Sequence, residues 1–166
     1  MTGGRIKISQ PHLIQRIIEE VGISNRMVGK PTPAASTKIL KRNEGAQIFD
    51  GKQIHYRRVV GKLNFLEKST RPDIAYAMHQ CARFSIEPEQ SHADAIIYLA
   101  RYLRDTKDEG IILDPNKDKS FEIFADADFV GLWDKEPAGE DVSTTKSRSG
   151  YVLTFAGCPV LWASKL

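Results

Sequence analysis

Two helices with a fixed break between them are predicted by residues 56–84, YRRVVGKLNFLEKSTRPDIAYAMHQCARF. Apolar residues recur three and four positions apart, which is the spacing of one buried helix face. Pro72 interrupts the pattern, because proline suits a first helical turn and keeps the residue before it out of helical geometry. We expect helices from about Ile54 to Lys68 and from about Asp73 to Ile86. Their expected inward residues are Tyr56, Val59, Val60, Leu63, Leu66, Ile74, Ala77, Met78, Cys81 and Phe84.

A further helix is predicted on each side of this stretch. The downstream helix runs from about Ser91 to Arg104, and the upstream helix begins near Pro11 and ends before Gly22. Residues 24–52 combine proline, glycine and many polar residues, so they predict a long connecting loop. The expected inward residues of the two helices are Leu13, Ile14, Ile17, Ile18, Val21, Ala95, Ile96, Leu99 and Leu103.

After residue 110 the apolar period changes from 3.6 to 2, which is typical of strands. The predicted strands are IILD from 111, FEIFAD from 121, GYVLTF from 150 and PVLWAS from 159, with a short strand RIKI at 5–8. A helical part followed by antiparallel strands is an α+β fold.

The composition excludes several classes of protein. Apolar residues make up 41% of the 166 residues, which is enough for a core. No window approaches the 18 apolar residues of a membrane span, and the first ten residues lack the apolar block of a secretory signal. Cys81 and Cys158 have no closely spaced partners, so we expect buried free thiols in a reducing compartment, cytoplasm or nucleus.

The charge is unevenly distributed. Residues 1–110 carry 18 Lys and Arg against 12 Asp and Glu, whereas residues 111–166 carry 6 against 9. A basic segment followed by an acidic one fits phosphate binding beside a carboxylate site. Solvated surface charge explains the same counts, so both interpretations stay open.

Six basic residues of the helical part are candidate phosphate contacts. Arg58 and Lys62 lie four positions apart, on one predicted helix face. Contacts of this kind would give weak, salt-dependent binding to nucleic acid that is independent of its base sequence. Exposed helix charge is the alternative for the set, and an ion pair with Asp73 is the alternative for Arg71. The six candidates are Arg57, Arg58, Lys62, Arg71, Arg101 and Arg104.

Histidine and aromatic residues have plain structural interpretations. His92 has no metal-ligand partner near it in the sequence. It is therefore expected to pack against the helix predicted from about Ser91 to Arg104, or to cap that helix. Four aromatic residues could stack on bases, but core packing is the stronger expectation. They are Tyr98, Tyr102, Trp133 and Trp162.

The stretch FEIFADADFVG (121–131) places Asp126 at the end of a predicted strand. Carboxylates in such a position can bind a divalent metal, although a strand-end aspartate without a ligand is the alternative. Asp128 shares the same face if the strand continues, and is a turn residue if the chain leaves the strand there. The loop beyond places ligands poorly, so its acidic residues are expected to be solvated. They are Asp134, Glu136, Glu140 and Asp141.

Several blocks of the sequence resemble the Pol polyprotein of copia-type retrotransposons. TRPDIA (70–75), within residues 56–84, resembles the segment that follows the polymerase palm, and HADAIIYLARYLRDTKDEGIIL (92–113) resembles the next block. ADADFVG, followed by SRSGYVLTFAGCPVLWASK (147–165), resembles the opening of the ribonuclease H domain. Upstream, GGRIKISQPHLIQRIIEEVGI resembles the stretch just after the polymerase active-site strands, and PTP (31–33) resembles the loop beyond it. The blocks keep the family's order and cover nearly the whole chain.

The resemblance implies a helical thumb and connection region followed by a partial ribonuclease H-like antiparallel sheet. Residues 1–52 would be the end of the palm or thumb with a linker, residues 53–109 the connection region, and residues 110–166 an incomplete ribonuclease H-like domain. Asp126 would correspond to a vestigial ribonuclease H carboxylate and one ligand of an incomplete metal site, with Asp128 a doubtful second. The sequence has neither the family's Tyr-X-Asp-Asp polymerase pair nor its Ser-Thr-x-Glu-Ala-Glu block.

These features predict a fragment of a reverse transcriptase and ribonuclease H polyprotein that is inactive alone. The intact family enzyme uses Mg²⁺, and this chain is expected to hold none stably, because the two-metal reaction needs several converging carboxylates. The expected partners are an RNA–DNA hybrid or another nucleic acid, bound weakly, and the rest of a Pol polyprotein. Binding to a membrane is not expected. The alternative is a domesticated, non-catalytic nucleic-acid-binding or interaction module.

Overall fold

In the computed structural model the chain forms two compact units. The first is Gln10–Glu109, and the second combines Met1–Ser9 with Gly110–Leu166. Helices occupy the first unit and antiparallel strands the second, so the predicted α+β class is confirmed. The resemblance divides the chain differently, into the regions 1–52, 53–109 and 110–166. These three regions stay predictions. The structure describes residues 4–35, 40–43, 45–52, 54–128 and 147–165.

The helical unit follows the predicted order of helices and breaks. Pro72–Ile74 forms a single 3-10 turn, as the proline signal indicates. Gly22, with a φ of 74°, ends the first helix in the left-handed conformation that favours glycine. No helix in the described ranges has the length and apolarity needed to cross a membrane. The helices are α1 (Pro11–Val21), α2 (Tyr56–Ser69), α3 (Ala75–Ala82) and α4 (Gln90–Asp105).

Helix α3 is shorter than the predicted span of 73–86. The 3-10 turn takes up its start, and a tight turn closes its end. There the backbone N–H and the hydroxyl of Ser85 both donate to the carbonyl of Ala82, at 3.3 and 2.7 Å. A serine that bonds the preceding turn in this way competes with helix continuation.

One apolar core fills the helical unit. All the predicted inward residues of α2, the 3-10 turn and α3 are buried, and in the other two helices only Leu13 and Ala95 are partly exposed. Tyr56 satisfies its buried hydroxyl by donating to the carbonyl of Cys81 at 2.8 Å. Cys81 and Cys158 are free and buried, as predicted.

The strand unit contains two small sheets. β1 (Ile6–Ser9) pairs with β2 (Gly110–Leu113). Gly110 permits this close approach, because a Cβ there would lie 2.0 Å from the carbonyl oxygen of Ile8. The second sheet has the order β3 (Phe121–Asp128), β4 (Arg148–Phe155) and β5 (Cys158–Lys165), with all pairs antiparallel. Trp162 of β5 is buried, so its predicted core packing is confirmed.

A two-residue turn joins β4 to β5. Ala156 and Gly157 have φ angles of 52° and 75°, as a type I′ hairpin requires. Alanine rarely adopts this conformation, because its Cβ crowds the backbone there. The backbone of Ala156 is held by Asn116, whose N–H donates to its carbonyl, and by Ser120, whose carbonyl accepts its N–H.

Replacing Ala156 by Asn should stabilise the strand unit by about 0.5–1 kcal/mol, because asparagine tolerates positive φ. Gly157→Ala is the opposed control and should destabilise the unit, since its φ also favours glycine. Equilibrium urea unfolding measures both. A loss of stability in Ala156→Asn would contradict the turn assignment.

One face of the three-stranded sheet is apolar and exposed. Phe121 pairs with Phe155 and Ile123 with Leu153, so all four lie on the same face. Phe121 is 65% exposed and Ile123 69% exposed. β3 is an edge strand within the described part of the sheet. Hydrogen bonds in a sheet with little covering open more readily than those of a packed core.

We therefore expect the amides of residues 111–166 to exchange with deuterium faster than those of residues 54–105. Hydrogen exchange followed by mass spectrometry, corrected for intrinsic rates, makes the comparison. Equal protection of the two ranges would show that the strand unit is as well stabilised as the helical core.

Candidate nucleic-acid interface

Arg71 lies inside the helical unit, with 1% of its surface exposed. Its Nε and Nη2 donate to the two carboxylate oxygens of Asp73 at 2.9 and 2.8 Å. Its Nη1 and Nη2 donate to the carbonyl and hydroxyl oxygens of Thr106 at 2.9 and 2.8 Å. The guanidinium is thus enclosed and engaged in four hydrogen bonds, two of them a bidentate pair. Arg71 is not available to a phosphate, and the ion pair with Asp73 is the arrangement present.

Tyr102 completes this cluster from α4. Its hydroxyl donates to Oδ2 of Asp73 at 2.8 Å, and its ring lies 5.5 Å from the guanidinium carbon of Arg71. Burial alone would raise the pKa of Asp73, but the hydrogen bond and charge of Arg71, with the Tyr102 hydroxyl, outweigh it and hold the pKa below 3.8. The cluster ties the break between α2 and α3 to the end of α4.

Arg71→Ala should destabilise the helical unit by about 2–4 kcal/mol, because the buried guanidinium leaves a cavity and its hydrogen bonds to Asp73 and Thr106 are lost, while Asp73, whose side chain is 38% exposed, stays partly solvated. Arg71→Lys should still cost about 2 kcal/mol, since an ammonium cannot form the bidentate pair. Arg57→Ala is the control and should change stability by less than about 0.5 kcal/mol. Equilibrium urea unfolding measures the free energy of unfolding of all three variants. An Arg71→Lys variant as stable as the wild type would contradict the proposed role of the bidentate pair with Asp73.

Arg101 and Arg104 hold the loop that follows α1. Nε of Arg101 donates to the carbonyl of Val28 at 2.6 Å, and Nη1 of Arg104 donates to the carbonyl of Ser24 at 2.9 Å. Arg104 also pairs with Asp105 at 2.7 Å. Both arginines therefore have structural partners, and their guanidinium groups are largely committed to the loop.

Tyr98 contributes to the same loop attachment. Its hydroxyl lies 3.3 Å from the hydroxyl of Thr32, and the ammonium of Lys30 lies 4.8 Å from its ring centre. Tyr98 and Tyr102 thus make polar contacts within the unit.

Arg58 and Lys62 share one face of α2, as predicted, and both reach Glu20 of α1. Lys62 pairs with Oε2 of Glu20, and its side chain is 19% exposed. Nε of Arg58 lies 3.6 Å from Oε1 of Glu20, and its side chain is 62% exposed. Lys62 is an interhelical contact, whereas Arg58 has a loose ion pair that solvent weakens.

Arg57 and Arg58 border a groove of about 330 Å³ at the start of α2. Arg57 is exposed to solvent. The first N–H groups of a helix lack intrahelical partners, and the helix dipole favours an anion beside them. The groove also has an apolar side formed by the turn between α3 and α4. Its remaining lining residues are Phe49, Gly51, Ile54, His55, Tyr56, Ser85, Ile86 and Pro88.

His92 is fully buried in the first turn of α4. Its Nδ1 accepts a hydrogen bond from the N–H of Glu89 at 2.9 Å, and its Nε2 lies 3.0 Å from the carbonyl oxygen of Lys41. The ring stacks on Phe84, with centres 3.7 Å apart. Of the roles expected from the sequence, packing and capping are the ones observed.

Asp126 is an exposed residue of β3 and pairs in register with Gly150. The strand runs through Asp128, opposite Arg148, so of the two alternatives for the backbone at Asp128 the extended one is observed. The described residues hold no group of three His, Cys, Asp or Glu side chains that could share a metal. Since Mg²⁺ prefers six oxygen ligands in octahedral geometry, the described carboxylates do not fit a two-metal site. The candidates Trp133, Asp134, Glu136, Glu140 and Asp141 lie outside the described residues.

The chain is similar to retrotransposon proteins along nearly all of its length. It is 34% identical over 158 residues to "Retrovirus-related Pol polyprotein from transposon RE1" of Arabidopsis thaliana, covering 93% of this chain and 10% of that protein. It is 30% identical over 171 residues to the corresponding polyprotein from transposon TNT 1-94 of Nicotiana tabacum, covering 99% and 12%. The chain belongs to the Pol polyprotein family of copia-type retrotransposons. The resemblance seen in its motifs is confirmed.

This copia-type chain spans about a tenth of the length of the Pol polyproteins that it matches. A shorter relative is "Secreted RxLR effector protein 161" of Plasmopara viticola, 33% identical over 114 residues that make up 69% of this chain and 74% of that protein. No family model and no solved structure matches the chain.

Proposed function

We propose that the helical unit binds the phosphate backbone of nucleic acid, in particular an RNA–DNA hybrid, at the groove beside the start of α2. The observation that carries this proposal is the exposure of Arg57 and Arg58 at the groove. The other four predicted contacts are engaged elsewhere: the buried Arg71 with Asp73, Lys62 with Glu20, and Arg101 and Arg104 with loop carbonyls.

Membership of the Pol family supports a hybrid as the ligand. In this proposal the helical unit serves as a connection region that holds the hybrid in the cytoplasm or nucleus, and other parts of a Pol polyprotein supply the chemistry, with Mg²⁺ bound there. Two arginines neutralise about two phosphates, so the binding is weak and independent of base sequence.

Binding of a fluorescently labelled RNA–DNA hybrid tests the proposal by anisotropy. Affinity should fall between about 50 and 200 mM salt, and log K against log salt should have a slope near −2. Arg57→Gln with Arg58→Gln should reduce that slope by about 2, because two phosphate contacts are lost.

The matched control is Arg26→Gln with Lys107→Gln, which removes two exposed positive charges of the same unit away from the groove. It should leave the slope within about 0.5 of the wild-type value. An equal loss in both double variants would show that net charge, rather than the groove, binds the hybrid.

Catalysis is tested in the same preparation. We expect no hydrolysis of the RNA strand with or without Mg²⁺, because Asp126 is one carboxylate where the two-metal reaction needs several. Mg²⁺-dependent hydrolysis that Asp126→Asn abolishes would contradict this expectation and would make the strand unit a nuclease.

A second candidate function is that of a non-catalytic interaction module. The observation that favours it is the relative from Plasmopara viticola, most of whose length matches this chain. Ile86, which is largely exposed, gives the groove an apolar contact that a peptide could use. No hybrid binding at about 50 mM salt would overturn the nucleic-acid proposal and favour this one.

A further inference from the structure

Residues 41–43 and 45–49, here called the strap, are attached to the corner between α3 and α4. The carboxylate of Glu89 accepts from the backbone N–H of Asn43 at 3.2 Å and from its side-chain amide at 3.0 Å. The N–H of Phe49 donates to the carbonyl of Pro88 at 2.7 Å. The carbonyl of Lys41 meets Nε2 of His92. The attachment therefore combines these short polar contacts with the side chain of Phe49, which packs against the apolar core.

His92 serves this attachment only in one neutral tautomer. Nδ1 faces a backbone N–H, that of Glu89, and must accept, so the proton resides on Nε2 and is donated to the carbonyl of Lys41. A protonated imidazole has two donors and no acceptor. Protonation would thus place two N–H groups against each other at the start of α4, inside a site where the ring is fully buried.

The charges around His92 have opposing effects on its proton affinity. Burial lowers the pKa of His92 below 6.5; the carbonyl of Lys41 and the carboxylate of Glu89 raise it, and Arg42 and Arg83 lower it. The pKa of His92 in the folded chain is lowered on balance. As the pH falls, the unfolded chain therefore binds the proton at a higher pH than the folded chain does. The stability contributed by neutral His92 is complete above pH 6.5 and is lost progressively as the pH falls from there through the lower, folded-state pKa.

The strap also forms part of the groove beside α2. Phe49 of the strap and Pro88 of the α3–α4 corner both line it, and they are joined by the hydrogen bond described above. We propose that His92 is an acid-sensitive clasp, whose protonation frees the strap and removes one wall of the groove. The consequence for nucleic-acid binding rests on the proposed function, whereas the release of the strap does not.

Amide hydrogen exchange of the strap tests the clasp without any nucleic acid. The N–H groups of Asn43 and Phe49 report on the strap, and that of Ile17 reports on the core. After correction for intrinsic rates, the protection of the two strap amides relative to Ile17 should fall by up to about tenfold between about pH 7.5 and about pH 5.5. Nitrogen chemical shifts of His92 should show the Nε2–H tautomer at the higher pH.

His92→Asn is the informative variant, because asparagine still offers an acceptor to the N–H of Glu89 and does not titrate. Its strap protection should be the same at both pH values. His12→Asn is the matched control: His12 is exposed on α1, so this variant should keep the wild-type loss at low pH.

A wild-type strap equally protected at both pH values would overturn the clasp, as would an Nδ1–H tautomer or an undiminished loss in His92→Asn. The first two results need no variant and so do not depend on its folding. Hybrid binding at the two pH values then tests the link to the groove. Weaker binding at low pH in the wild type, but not in His92→Asn, supports the link, and an equal change in both refutes it.

Discussion

The ion pair of the buried Arg71 with Asp73, whose side chain is 38% exposed, is the interaction on which the helical unit depends. It lies where α2 gives way to the 3-10 turn, and it reaches Thr106 just beyond α4. Removing a guanidinium from water costs several kcal/mol, which only a complete set of partners can offset. The bidentate carboxylate, the Thr106 oxygens and the Tyr102 ring supply that set. The break at Pro72 is thereby held in one geometry, and α2, α3 and α4 pack around it.

The candidate interface consists of the two predicted contacts that stay largely exposed, Arg57 and Arg58, the latter with only a loose ion pair to Glu20. Arg101 and Arg104 donate hydrogen bonds to loop carbonyls, Lys62 joins α2 to α1, and Arg71 is enclosed. Arg57 and Arg58 are exposed where the first turn of α2 lines the groove. The strap that forms one side of this groove is itself held by polar contacts around His92. Interface and strap therefore share the corner formed by Pro88 and Glu89.

Most of the secondary structure could be predicted, because the apolar period is 3.6 in the helical part and 2 in the strands before and after it, and Pro72 marks the break between helices. The end of α3 could not, since it depends on the hydrogen bonds of Ser85 to one carbonyl. The sequence left open whether β3 continues to Asp128, because that depends on pairing with β4 at Arg148. Strand pairing between β1 and β2 joins distant parts of the chain, and no local pattern specifies it.

Sequence alone determined the helices and strands, the buried faces and the Pol family, since each is encoded in local spacing or in motifs such as TRPDIA. Only the tertiary structure decided which basic residues face solvent. An arginine on a predicted helix looks the same whether it meets water or a partner elsewhere in the chain. Arg71 is buried because Thr106, 35 positions away, lies beside it, and Arg57 is exposed because no element covers it among the described residues. Proximity of that kind is a property of the packed chain.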